Sequence, residues 1–204
     1  MNNESKNENL DICRECGGMC CIKCGCDYAV SDFKDHSYKA LLESLSIGDK
    51  SIVSMIDFRT LSNGKFIAEP TLYIRARNVN RDIIDLISMK TRCSLLLGDG
   101  CSYDYEHRPF GGRNLKPAMY EDGGCRPIVN PIVYLKEWLP YQKQLGKIVK
   151  LYTGKSVIEK ISEDVEELFY KCLIKDYVGV SELELIDLNG FVLLLLTWPN
   201  RTKQ

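Results

Sequence analysis

CRECGGMCCIKCGC, residues 13–26, carries six of the chain's ten cysteines: Cys13, Cys16, Cys20, Cys21, Cys24 and Cys26. Up to Asp27 this stretch is cysteine and glycine with almost no apolar side chain. It cannot fold around a hydrophobic core of its own, so something other than apolar burial must hold it. Gly17, Gly18 and Gly25 can take positive φ, bending the backbone around an ion and turning N–H groups toward sulfur. Clustered buried thiolates repel one another unless a cation lies between them. Metal or cluster binding is therefore expected, with structural disulfides and metal-free dithiol chemistry as the alternatives.

The rest of the chain sets the context. It has 204 residues, 45% of them hydrophobic and 27% charged, which excludes a disordered polymer and leaves enough apolar material for an unaided core. Lys and Arg total 27 against 28 Asp and Glu, a net charge of -1 that argues against nucleic acid as a partner. The polar start lacks the apolar stretch of a signal peptide. The run FVLLLLTW, residues 191–198, is too short for a bilayer core of about 30 Å and reads as a buried strand or helix. A cytoplasmic protein with no membrane partner is expected, in a reducing setting where clustered cysteines favour metal over disulfides.

Outward from the cysteine run, residues 1–12 read as a flexible tail and 13–204 as a single α+β domain. Its expected parts are a Cys-rich metal-binding N-terminal loop and short β-hairpins, packed with a helical C-terminal half. Ser31 or Asp32 can cap a helix running to about Ser46, with Phe33, Ala40, Leu41 and Leu45 on one face and Gly48 ending it. Ile52, Val53, Met55, Ile56 and Phe58 suggest a strand. Asn63-Gly64 is a hairpin turn, and FIAEPTLYIRAR is the return strand, with Pro70 marking a break or an edge. CSLLLGDGCSYD reads as a second hairpin turning at Asp99-Gly100, its arms carrying Cys93 and Cys101. Residues 107–131 read as a long irregular connection. Two helices follow, about 131–154 with a kink at Pro140 and about 156–177 opened by a Ser156/Glu159 capping box.

Neither common template fits the cysteine run. Only four residues separate the Cys13/Cys16 pair from the Cys21/Cys24 pair, too few for two zinc knuckles. Three residues lie between Cys16 and Cys20, and no Pro follows, unlike the ferredoxin run. Six thiols exceed one four-thiolate site and fall short of two. Adding Cys93, Cys101 and Cys125 gives a candidate set of Cys13, Cys16, Cys20, Cys21, Cys26, Cys93, Cys101 and Cys125, with Cys24 the odd one out. The choice between Cys24 and Cys26 is not fixed by spacing. Cys172, on an apolar helix face, reads as a core residue. An iron–sulfur cluster is placed ahead of zinc as cofactor.

Four thiolates around either metal leave a charge of about -2 to be offset. Arg14, Arg92 and Arg126 adjoin candidate ligands, and Arg108 and Arg113 lie nearby; ordinary surface arginines are the alternative. His107 could replace a thiolate or be a solvated loop histidine, and His36 is assigned to a helix.

CRECGGMCC followed by CSLLLGDGCSYDYEHRP resembles the YkgJ-type cysteine-cluster proteins, described as a zinc- or iron-chelating domain of C-x2-C-x2-C-C type related to flagellin lysine N-methylases. Cys93, Cys101, Arg108 and Pro109 occupy the places of that pattern's later cysteines and its Arg-Pro. The first double cysteine comes one residue later than usual. The usual Cys-Arg after Arg-Pro is Gly112-Arg113 here, with Cys125-Arg126 further on. The resemblance implies a metal or iron–sulfur protein without fixing a reaction.

No phosphate loop, metalloprotease histidine motif or serine elbow is present in the sequence. The expected function is a cysteine-cluster metalloprotein with a redox, electron-transfer or structural metal and an unknown protein partner or substrate. The alternative is a metal-dependent enzyme related to the lysine N-methylases that uses S-adenosylmethionine. Asp99, Asp104 and Glu106 could serve as acids or bases there, or form a solvated loop face. LYIRAR could line an anion pocket or be a half-buried strand.

Overall fold

Two apolar arms joined at Asn63-Gly64 form the longest paired segment. In the computed structural model, β2 (Lys50–Thr60) pairs antiparallel with β3 (Phe66–Ala76), in register from Lys50↔Ala76 to Thr60↔Phe66. Gly64 turns the chain at φ +77°. The structure describes residues 15, 17–18, 21, 26–64, 66–76, 82–87, 93, 95–97, 100–116 and 126–174. The expected tail 1–12 and the apolar run 191–198 lie outside them.

Strand β1 (Asp27–Tyr28) pairs with the other side of β3 through Asp27↔Arg75 and Tyr28↔Ile74, giving the order β1-β3-β2. Pro70 does not break β3; it sits opposite Ile56 where β1 does not reach. Alternate β3 residues turn their N–H groups away from β2. That of Ala76 donates to the Cys26 carbonyl at 2.7 Å, that of Leu72 to Gln142 Oε1 at 2.7 Å, and Pro70 has none to satisfy. Gln142 Nε2 donates back to Leu72 O at 2.8 Å, so one side-chain amide does the work of an absent strand. The outer edge of β2 is covered by residues 83–86, through Ile52 N–H to Ile83 O (2.8 Å), Asp85 N–H to Ile52 O (2.9 Å) and Ser54 N–H to Leu86 O (3.0 Å).

Helix α1 (Tyr38–Ser46) begins later than the sequence suggests. Ser37 is its cap, its Oγ accepting from Ala40 N–H, and residues 30–32 form a separate 3₁₀ turn. Asp32 is unavailable as a cap because its carboxylate accepts from Ala29 N–H (3.0 Å) and Phe110 N–H (2.8 Å) and pairs with Arg113. Gly48, at φ +93°, ends the helix as expected.

Within 107–131, the described residues 107–116 and 126–131 are more ordered than an irregular loop. A 3₁₀ turn (Tyr105–His107) leads into α2 (Phe110–Arg113), and β6 (Leu115–Lys116) pairs with β7 (Arg126–Pro127). Buried Asn114 braces this segment, its side chain donating to Val129 O (2.6 Å) and accepting from Val129 N–H (2.8 Å). The kink at Pro140 is a change of helix type: α3 (Pro131–Leu135), a 3₁₀ segment Lys136–Tyr141, then α4 (Gln142–Thr153). Helix α5 (Val157–Ile174) opens with the expected capping box, Ser156 N–H to Glu159 Oε2 at 2.8 Å and Glu159 N–H to Ser156 Oγ at 3.3 Å.

Leu41 and Leu45 of α1, Trp138 of the 3₁₀ segment and Leu145, Ile148 and Val149 of α4 are buried in one core with Ile52, Leu72 and Ile74 of the sheet. Tyr28, Phe33, Trp138 and Tyr141 form an aromatic chain with centroids 5.5, 5.5 and 6.1 Å apart. Trp138 Nε1 donates to Tyr28 O at 2.9 Å, tying the helical half to β1 beside the cysteine run. Helices with a small antiparallel sheet make this an α+β fold. No helix among the described residues is long and apolar enough to cross a membrane.

Candidate metal centre

Cys101 lies on one arm of a short hairpin, as expected, whereas Cys93 stands three residues before the other arm, outside the strand. Strand β4 (Leu96–Leu97) pairs with β5 (Gly100–Cys101) through Leu96↔Cys101 and Leu97↔Gly100. Gly100 is thus a strand residue opposite Leu97, not part of the turn; residues 98–99 lie outside the described ones. Cys93 is buried and its carbonyl accepts from Leu96 N–H at 3.1 Å, while Ser102 N–H donates to Leu95 O at 2.7 Å. Cys101 is half-buried.

The N-terminal run meets this hairpin. Gly17 and Gly18 take φ of +62° and +75°, the conformation expected of them; Gly25 lies outside the described residues. Cys21 N–H donates to Gly18 O at 2.9 Å, and Cys93 N–H donates to Cys21 O at 2.7 Å. A Cβ on Gly18 would stand 2.7 Å from Leu96 Cδ1, so the glycine turn lies directly on the residue paired with Cys101. Segments about seventy residues apart in sequence are joined here by main-chain bonding, which is insensitive to side-chain identity.

Cys26 occupies a second position at the start of β1. It is 7% exposed, its carbonyl is bonded to Ala76, and its Sγ lies 2.5 Å from where a Cβ of Gly112 would be. Cys13, Cys16, Cys20, Cys24 and Cys125 lie outside the described residues. Cys172 falls within α5, but its side chain is also outside them. Among the described residues no three or more Cys, His, Asp or Glu side chains gather as a metal-holding group. No match is found among family models, curated proteins or solved structures.

Polar neighbours of the hairpin escaped the sequence reading. Tyr103 Oη donates to Asp49 Oδ2 at 2.8 Å, and Lys50 Nζ pairs with Asp49 Oδ1 at 2.7 Å. Lys50 also lies 5.3 Å from the Tyr28 ring centroid. Burial, the bond to Asp49 and the Asp49 charge push the Tyr103 hydroxyl up to about 12, and the Cys101 and Cys93 sulfurs add to the shift. Burial first, then Asp49, holds Tyr28 far above the ordinary tyrosine range. The only sequence signal was the Asp49-Lys50 pair between a helix stop and a strand, a common surface pattern.

The arginines divide. Arg113 pairs with Asp32, and Arg108 Nε donates to Tyr103 O at 3.2 Å, so Arg108 adjoins the hairpin through main chain. Arg126 is in β7; Arg14 and Arg92 lie outside the described residues. Arg75 of LYIRAR is committed to Asp27 (2.6 Å) and Tyr73 Oη (2.9 Å), the arrangement of a half-buried strand. His107 is exposed, its Nδ1 2.6 Å from Asp104 Oδ1. His36 precedes α1 rather than lying in a helix, and its Nε2 donates to Val30 O at 2.8 Å.

Proposed function

We propose that the chain is a cysteine-cluster metalloprotein holding an iron–sulfur cluster, or zinc, for a redox, electron-transfer or structural role. The observation that carries this reading is the Cys93 N–H to Cys21 O bond, with Gly18 against Leu96. Together they set Gly18 and Cys21 against Cys93 and against the strand residue paired with Cys101. Thiolates are soft donors suited to zinc and iron–sulfur clusters, and the donor chemistry of these residues fits either group.

Cys21, Cys26, Cys93 and Cys101 would each supply a donor, but among the described residues no three of them gather, so Cys13, Cys16, Cys20 and Cys125 would have to complete the set. When bound, an iron–sulfur cluster supplies one-electron chemistry and zinc supplies cross-linking. The chain's own part is to fix sulfur: left-handed glycines turn the run, and main-chain bonds pin Cys21 and Cys93. The YkgJ-type resemblance supports the same reading, and a reducing cytoplasmic setting would keep the thiols available.

Anaerobic purification followed by metal, sulfide and thiol analysis tests it. Stoichiometric iron with acid-labile sulfide and visible absorbance supports the cluster. Colourless protein with stoichiometric zinc supports the zinc form. Metal-free protein with its cysteines paired as disulfides overturns the proposal.

A further inference from the structure

The β2–β3 ribbon outruns everything that pairs with it. Strand β1 meets β3 only at Ile74 and Arg75. Residues 83–86 cover β2 only at Ile52 and Ser54, and that segment then enters a turn at 86–87. Past Met55↔Thr71 the two strands continue for five more pairs, from Ile56↔Pro70 to Thr60↔Phe66, with no third strand on either side among the described residues. A two-stranded ribbon is marginally stable in water unless another strand or a packed face joins it.

The two free edges differ. On β3, Pro70 presents no N–H and blunts the edge. On β2 the edge is open. Ile52 and Ser54 direct their N–H groups away from β3, so by the two-residue period of a strand Ile56, Phe58 and Thr60 do the same. The register with β3 runs without a bulge to Thr60↔Phe66, and residues 56–60, Ile-Asp-Phe-Arg-Thr, contain no proline or glycine. The two charges on this edge, Asp57 and Arg59, are opposite in sign and two residues apart. They do not repel every incoming strand; they select one.

Antiparallel pairing of this edge with its own copy can be centred on any of its three middle residues. Centring on Asp57 sets that residue opposite itself, and centring on Arg59 does the same for arginine; like charges directly opposite are destabilising. Centring on Phe58 sets Asp57 opposite Arg59 in both directions, Phe58 opposite Phe58 and Ile56 opposite Thr60. The outward main-chain groups of 56, 58 and 60 then face one another as a ladder requires. Within one chain, Asp57 stands opposite Glu69, a like-charged cross-strand position that an arginine from a second strand offsets. Ile56 and Phe58 share a sheet face with Pro70 and Ala68, so the same pairing joins the apolar faces of two ribbons.

We infer that residues 56–60 of β2 form an interface between two copies of this chain, paired antiparallel about a two-fold axis at Phe58. The open edge supplies the bonding and the charge order fixes the register. A second copy is the partner that carries the complementary charges at the required spacing. The inference is independent of the metal reading.

Sedimentation equilibrium of the full chain, reduced and anaerobic so that no disulfide contributes, tests it. The wild type is expected to show a monomer–dimer equilibrium. Arg59→Asp leaves only carboxylates beside the axis and Asp57→Arg only guanidinium groups. Each is expected to raise the dissociation constant about 10- to 100-fold, because opposite-charge contacts become like-charge ones. Mixed in equal amounts, the two variants are expected to form a heterodimer as tight as the wild-type dimer. Asp57→Arg/Arg59→Asp in one chain restores self-association. Damage to the fold would give neither recovery. A wild type that stays monomeric overturns the inference and leaves the edge to a strand of another protein. A dimer that survives both single variants, or one that fails to re-form in the mixture and in the double variant, overturns it as well.

Discussion

Alanine at Gly17 and at Gly18 probes whether the cysteine run is truly seated on the hairpin. Both residues are left-handed, at φ +62° and +75°, so each substitution carries a conformational cost of about 1–2 kcal/mol. Nothing stands within 4 Å of a Cβ on Gly17, whereas one on Gly18 would meet Leu96 Cδ1 at 2.7 Å. Leu96 is 5% exposed, so displacing it adds an overpacking cost of about 1–3 kcal/mol. Gly17→Ala is thus expected to lose about 1–2 kcal/mol and Gly18→Ala about 2–5 kcal/mol. At roughly 2–4 °C per kcal/mol for a chain of this size, the two melting temperatures separate clearly. A double-mutant cycle with Leu96→Ala isolates the contact. Leu96→Ala alone costs about 2–5 kcal/mol as a cavity, but in that background the extra loss at Gly18 shrinks to the Gly17 value. Urea unfolding followed by circular dichroism measures all the variants. Equal losses at both glycines, or zero coupling between Gly18 and Leu96, would refute the packing of Gly18 on the hairpin.

Three further outcomes follow from separate parts of the fold. Gly146→Ala should stabilise the protein by about 0.5–1 kcal/mol in urea unfolding, since Gly146 lies inside α4 and its Cβ would only touch Val157 Cγ2, at 3.7 Å. Gln142→Ala leaves the buried Leu72 N–H and carbonyl without the side-chain amide, and should cost about 1–3 kcal/mol, seen as a lower urea midpoint with faster hydrogen exchange at Leu72. The His107 hydrogen bond holds the Asp104 carboxyl below the usual carboxylate range. A depressed carboxylate favours the fold above its unfolded pKa, and the benefit fades as pH falls through the folded one. In an NMR titration His107→Ala should therefore move the Asp104 midpoint up toward the ordinary value.

The elements legible in the sequence are those whose signals are local. Asn63-Gly64 between apolar arms gave the β2–β3 hairpin because a short connection, residues 61–65, brings two sequence-adjacent arms together, although the loop is longer than a two-residue turn. Ser156 with Glu159, Gly48 and Pro140 marked a helix start, a helix stop and a change of helix type, each decided within one turn. The start of α1 was misplaced because Asp32 looks like a cap in sequence but is claimed by Phe110 and Arg113, far along the chain. Gly100 looked like a turn residue until pairing with Leu97 put it in a strand. The described parts of 107–131 looked irregular because Asn114 bonds across the segment to Val129, a pairing with no local signal.

By itself, the sequence determined that a cysteine- and glycine-rich run with almost no apolar residues must be held by other means, and that the rest of the chain could build an α+β core. Gly17 and Gly18 were assigned their left-handed turns for the same reason: composition dictates what a backbone can do. Only the tertiary structure decided which distant segment receives the run. A main-chain bond from Cys93 to Cys21 has no side-chain signature, and neither does the Gln142 amide completing the edge of β3. The space over Gly112 is equally invisible in the sequence. A missing Cβ acquires a purpose only when packing shows that a sulfur fills its place.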